Sequence, residues 1–311
     1  MSGLVDIHCH GAAGAEFGTS EDATRRALAH HARAGVDTVV ASLVSASARD
    51  LRERVTVLSR LVKRGVLAGI HLEGPFLSEA RRGAHDPAHL RDPDTGLVEL
   101  LVAIAAGAGA PTAIRQLTFA PERRGSDSLV RTLVAHGIRP AIGHTDADAA
   151  RVERTIGMIA ELQGSPALVT HLFNGMPPLH HRAGGPVAAA LAAAARGEAV
   201  VEIIADGVHI APEVVRMVFE TVGPGSVALV SDAMAATGLG DGTYQLGEVE
   251  VEVSEGTART TANGAIAGST STLADCVRWA VLEAGVDIVD AHRAATATPA
   301  AALGLEPSTA R

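Results

Sequence analysis

The chain has 311 residues, 47% apolar but only 2% aromatic, and a formal net charge of −9. The acidic balance argues against a nucleic-acid or anionic-membrane surface, and Cys9 and Cys276 alone cannot build a disulfide framework. No charged start leads into an apolar run and no stretch reaches transmembrane length, so a cytoplasmic protein is expected, with neither nucleic acid nor membrane as partner.

The core must come from Ala, Val, Leu and Ile, a palette that suits parallel strands buried on both faces by helices. Strand Leu4–His8 is followed by helix Ala23–Ala34, strand Val36–Ser42, helix Ala48–Arg64 and strand Val66–His71. A polar insertion, Leu77–Pro93, interrupts the alternation and is too long for an ordinary loop, which marks it as functional. Helix Thr95–Ala106 precedes strand Arg115–Ala120, helix Ser128–His136 precedes strand Arg139–Gly143, and helix Ala147–Gln163 precedes strand Ala167–Thr170. Helix Val187–Ala195 then leads to strand Ala199–Ala205, and helix Pro212–Val222 to strand Ser226–Val230. A β-hairpin insertion is read within Gly240–Ile266, and helices Ser271–Ala284 and Ile288–Thr298 close the chain. Eight strand–helix alternations predict an α/β protein, a (β/α)₈ TIM-like barrel forming a single catalytic domain over 1–311. A doubly wound sheet would need a phosphate loop after its first strand, and Gly11-Ala12-Ala13-Gly14 matches G-x-G-x-x-G poorly.

Polar residues recur where these strands end. The first ends in Asp6-Ile7-His8-Cys9-His10, whose two imidazoles share one side of an extended chain. Glu73 follows the third strand, His144 the fifth, His171 the sixth and Asp232 the eighth. One such residue is ordinarily structural. Together on the carboxyl rim of one barrel, imidazoles and carboxylates make a donor set for Zn²⁺ or another first-row divalent ion.

The segments Val5–Gly11, His71-Leu72-Glu73-Gly74-Pro75-Phe76, Gly83-Ala84-His85, Gly143-His144-Thr145, His171–Pro177, Ala205–His209 and Ser231-Asp232-Ala233 occur in that order. In these motifs the chain resembles the N-acetylglucosamine-6-phosphate deacetylase family of the amidohydrolase superfamily. The Asp-x-His-x-His element marks only the superfamily, whereas the segments around Glu73 and His171 are specific to the deacetylases. The resemblance implies that Glu73, His144 and His171 ligate a principal metal, and that His8 and His10 ligate a second one bridged through Glu73. It implies Asp232 as catalytic acid/base, His85 as the group polarising the substrate carbonyl, and Asn174, Gly175, Arg182 and His209 as contacts to the sugar phosphate. One or two divalent ions, zinc or iron, and a homodimer are expected with it. Relatives that bridge two metals with a carbamylated lysine are disfavoured, because Lys63, the only lysine, lies in the helix before the third strand.

Other histidines receive plain readings: His30, His31, His136 and His292 as surface or capping groups, and His89 as a neighbour of the functional loop. Gly175 stands where relatives carry alanine, an exchange expected to be harmless. The sequence around the barrel is shorter than in relatives, so a form lacking their small β-sandwich domain is expected. The activity expected is deacetylation of N-acetylglucosamine 6-phosphate. The alternatives are the galactosamine epimer as substrate, or a catalytically silent sugar-phosphate-binding paralogue.

Overall fold

A computed structural model describes residues 3–305. Eight parallel strands follow one another around a sheet in chain order: β1 (Leu4–Cys9), β2 (Val36–Leu43), β3 (Gly69–Glu73), β4 (Ile114–Phe119), β5 (Arg139–Ile142), β6 (Ala167–Val169), β7 (Ala199–Ile203) and β8 (Val227–Leu229). Helices α1 (Glu21–Arg33), α2 (Ala48–Lys63), α3 (Thr95–Gly107), α4 (Ser126–Ala135), α5 (Ala149–Gln163), α6 (Gly185–Ala195) and α7 (Pro212–Val222) fill the crossovers. This is the expected barrel. Its helix starts are set locally: the side chains of Ser20, Ser47, Asp94 and Asp148 accept from the first-turn amides of α1, α2, α3 and α5.

The strands bury both faces. Outward residues such as Ile70, Leu72, Leu117 and Phe119 join the helices in the main core. On the inward face, with its period of two, Val40, Ala141, Leu168, Val200 and Ala228 form an apolar floor. Above them the same faces turn polar, at Ser42, Thr170 and Glu202. The first and last strands meet without a backbone ladder, and the seam is closed by other means. Asp6 accepts from the Ser231 hydroxyl at 2.6 Å, and the Asp232 N–H donates to the His8 carbonyl at 2.9 Å.

Three departures from the sequence reading have local causes. The third strand begins at Gly69, where pairing with Val40 starts, and runs through Glu73, so Glu73 ends a strand rather than sitting in the turn beyond it. The expected hairpin is a three-stranded antiparallel sheet, β9 (Gly242–Leu246), β10 (Val249–Ser254) and β11 (Thr257–Thr260). The polar third strand hides its alternation, since only Ala258 and Thr260 turn inward. After α8 (Leu273–Leu282), the last expected helix is two, α9 (Ile288–Ala294) and α10 (Ala297–Leu303). Pro299 has no N–H to offer the Ala295 carbonyl, which accepts instead from Val5 N at 2.9 Å. α10 thereby turns under the barrel, and Leu303 packs against the apolar floor.

Candidate metal and active site

Each rim residue is held at the point where a strand gives way to a loop. His144, His171 and Asp232 have φ of 45°, 24° and 50°, left-handed values that non-glycine residues rarely adopt. Such strain, of order 1–2 kcal/mol per residue, persists where the surroundings over-determine it. The result is a convergence on Glu73. Its Oε1 lies 2.9 Å from His171 Nε2, 3.1 Å from His144 Nε2 and 3.6 Å from His8 Nε2. Its Oε2 lies 3.2 Å from His10 Nε2 and 3.5 Å from His85 Nε2. Asp232 Oδ1 faces His10 and His8 at 3.1 and 3.4 Å. All of these side chains are buried.

Outer hydrogen bonds assign the tautomers. His144 Nδ1 lies 2.7 Å from the Arg81 carbonyl, which only accepts, so its proton is on Nδ1 and a lone pair faces Glu73. His8 Nδ1 lies 2.9 Å from Glu202 Oε2, with the same consequence. His85 is the reverse: the Ser45 N–H donates to its Nδ1 at 3.2 Å, leaving an Nε2–H donor aimed into the site. Imidazole lone pairs meet carboxylate oxygens around Glu73, and the His144 and His171 Nε2 atoms stand 3.0 Å apart. Four ring nitrogens and two carboxylate oxygens brought this close in a buried site are held together by a shared positive charge, so the donor set fits a divalent ion.

The electrostatics agree. Burial opposes charge on His8, but Glu73, Glu202 and Asp232 together hold its pKa well above the usual imidazole range. Burial likewise opposes charge on His10, and hydrogen bonds to Asp232 and Glu73 raise it to about 9. The potential that favours a proton there favours a cation. Burial would push Asp232 up, yet His8 and His10 bring it down to about 2. His85 goes the other way, to about 4, because burial dominates and keeps it neutral.

Beneath the site lies a support that the sequence reading left without a role. Ser42 Oγ, His71 Nδ1 and Nε2, Thr118 Oγ1 and Thr170 Oγ1 form a chain with steps of 2.9, 2.8 and 2.7 Å. The His71 ring packs edge-on to His8 at 4.6 Å. Glu202 is the other residue missed. A charged residue inside the run Val200-Val201-Glu202-Ile203-Ile204 was the available signal.

Above the site is a cavity of about 220 Å³. His10, Glu73, His85, His144, His171 and Asp232 form its floor, Asn174, Gly175 and His209 its side, and Leu246, Ala265 and Ile266 its roof. The inserted sheet thus covers the site, and His89 on the polar insertion reaches Glu248 of its first turn at 3.2 Å. Asn174 donates weakly to the carbonyls of His171 and Leu172. His209 pairs with Asp206 at 2.8 Å; burial opposes its charge and Asp206 raises its pKa. Arg182 is exposed on the loop before α6, beside His181 at 2.7 Å, and does not line the cavity.

Two plain readings are corrected. His31 is buried, not a surface group, with its Nε2 3.1 Å from Cys9 Sγ and 3.2 Å from the Gly11 carbonyl. Gly175 is not freely exchangeable: at φ 62° an added Cβ would stand 2.7 Å from His144 Nδ1.

The amidohydrolase family model matches residues 1–309. The chain belongs to the amidohydrolase family. Within it, the chain is 33% identical over 311 residues to N-acetylglucosamine-6-phosphate deacetylase of Vibrio furnissii, covering 98% of this chain and 74% of that protein. It is 31% identical over 307 residues to N-acetylgalactosamine-6-phosphate deacetylase of Escherichia coli O157:H7, covering 97% of this chain and 77% of that one. The solved N-acetyl-D-glucosamine-6-phosphate deacetylase of Mycobacterium smegmatis, in complex with N-acetyl-D-glucosamine-6-phosphate, superposes with a TM-score of 0.91 at 39% identity, covering 100% of this chain and 80% of that structure. The family's metal dependence agrees with the donor groups found here, His8, His10 and Asp232 on one side and Glu73 and His144 on the other, where His85 stands beside them with its N–H inward. Among the described residues no helix is long and apolar enough to cross a membrane.

Proposed function

We propose that the protein is a metal-dependent amide hydrolase that converts N-acetylglucosamine 6-phosphate to glucosamine 6-phosphate and acetate. The observation that carries this reading is the sorting of imidazoles around Glu73: His8 and His144 present lone pairs, while His85 presents a donor. Glu73, His144 and His171 would hold a principal divalent ion, zinc in the first instance, and His8 and His10 a second. An ion bound there supplies Lewis acidity, which acidifies water and polarises a carbonyl.

The chain's own residues do the rest. Asp232, a buried carboxylate whose Oδ1 faces His10 and His8 at 3.1 and 3.4 Å, takes a proton from the attacking water. It passes that proton to the amide nitrogen, so the C–N bond breaks to release an amine rather than an amide anion. His85, neutral with Nε2–H inward, donates to the carbonyl oxygen as negative charge develops there. His209 and Asn174 line the sugar side of the cavity. Arg182, a forked donor suited to phosphate, stands outside the cavity, so we assign it to the phosphate of a substrate bound across a homodimer. The barrel acts as the catalytic domain, in the cytoplasm.

Acetate release from both hexosamine 6-phosphates, with and without chelator, tests the reading. Turnover of the glucosamine derivative that chelator abolishes is expected. Preference for the galactosamine epimer would move the assignment to the activity named for the Escherichia coli relative. Binding without turnover at saturating metal would make the chain a silent sugar-phosphate-binding paralogue.

A further inference from the structure

Glu202 is wholly buried on the inward face of β7, and one of its oxygens, Oε1, has no hydrogen-bond partner. Among the described residues no arginine or lysine pairs with it; its ion-pair partner is His8. A buried carboxylate without a cationic side chain is costly, by several kcal/mol in order of magnitude, so its retention calls for a positive charge close by.

We infer that Glu202 is a positioning and charge-compensating residue that enables the His8/His10 half of the site to hold a second divalent cation. The inference rests on the metal-site reading above. Glu202 Oε2 accepts from the His171 backbone N–H at 3.2 Å and faces His8 Nδ1 at 2.9 Å. Because a carboxylate only accepts, it fixes the proton on Nδ1 and the lone pair on Nε2, towards Glu73 and Asp232. A carboxylate behind a ligating imidazole also makes the ring a better donor.

The two halves differ in this respect. Behind His144 stands a neutral carbonyl, that of Arg81, and His171 Nδ1 has no partner. Only His8 is backed by a full negative charge. Glu73 and Asp232 supply two negative charges, enough to balance one dication. Glu202 supplies a third, so that a second dication leaves less uncompensated charge in a buried site, where such charge is most expensive.

Metal titration of the full chain after chelator treatment, followed by calorimetry, metal analysis and the visible spectrum of the Co²⁺ form, tests this. Glu202→Gln keeps one oxygen for both contacts, removes the charge and puts an NH2 group in the place of Oε1; Glu202→Ala removes both the charge and the acceptor. Wild type should bind two equivalents. In Glu202→Gln the first should keep its affinity within a factor of ~3, while the second weakens by roughly 10- to 100-fold. In Glu202→Ala the second should be lost, with its cobalt bands. Should the alanine variant fail to fold, the isosteric glutamine variant decides alone. Parallel weakening of both equivalents, or an unchanged second one, would overturn the inference. So would wild type that binds a single equivalent, which leaves the deacetylase reading standing. Wild type that binds no metal would instead overturn that reading.

Discussion

The backbone N–H of Ser45 donates to Nδ1 of His85 at 3.2 Å, and this one contact decides which nitrogen of the imidazole carries the proton towards the cavity. With Nδ1 occupied as acceptor, Nε2 carries the proton into the cavity. His85→Ala should therefore lower kcat by ~10²- to 10³-fold, as loss of an oxyanion donor does, with a smaller change in KM. Steady-state kinetics on metal-loaded protein check this, and a change confined to KM would mean that His85 only binds.

Asp232→Asn retains the shape and one oxygen but cannot accept a proton at neutral pH. Turnover should fall by ~10²- to 10⁴-fold in protein that still holds the principal metal at Glu73, His144 and His171. Unchanged turnover would refute its role as proton carrier. Loss of metal would instead make it chiefly a ligand.

His31 gives the stability a pH dependence. Burial lowers its folded-state pKa from 6.5 to about 4, so below 6.5 the unfolded chain takes up a proton that the folded chain refuses. The stabilising contribution is complete above pH 6.5 and is lost as pH falls towards 4, by about 3 kcal/mol, taking 1.36 kcal/mol per pKa unit. Urea unfolding of wild type and His31→Gln across this range should show a difference in slope, since glutamine still donates to the Gly11 carbonyl. Parallel profiles would assign the acid lability to other groups.

Gly175→Ala should both destabilise the fold, by about 1–2 kcal/mol from the left-handed backbone alone, and weaken metal binding. The added methyl presses on His144 Nδ1 and so on its 2.7 Å bond to the Arg81 carbonyl. Unfolding midpoints and metal titration read the two effects separately. Wild-type values in both would show that the loop yields at no cost.

The barrel was legible because its strands are apolar runs separated by amphipathic helices, and because the rim residues fall at the ends of those runs. Parity along β1 correctly placed His8 and His10 together and turned Cys9 away, towards His31. What stayed hidden depends on partners distant in the chain. Glu202 gains meaning only beside His8, and His71 only beside Ser42 and Thr118. His31 looked like a helix-surface residue because nothing local shows that β1 covers it. The break between α9 and α10 was available in Pro299, whose missing N–H interrupts the ladder. The third strand of the inserted sheet was not, because the polar β11 buries only alternate residues. Arg182 was carried over from the resemblance, and it stands exposed on the loop before α6, outside the cavity lining.

The seam between the first and last strands has a kinetic meaning. Asp6 and Ser231 are 225 residues apart in sequence, and His8 and Asp232, close to them in the chain, face each other at 3.4 Å across the seam. Contacts of such long range form only after the intervening chain has been ordered, since the entropy of closing the loop must be met first. Catalytic competence should therefore be among the last properties to appear on refolding, later than helical signal. Recovery of activity would then time the closing of the ring.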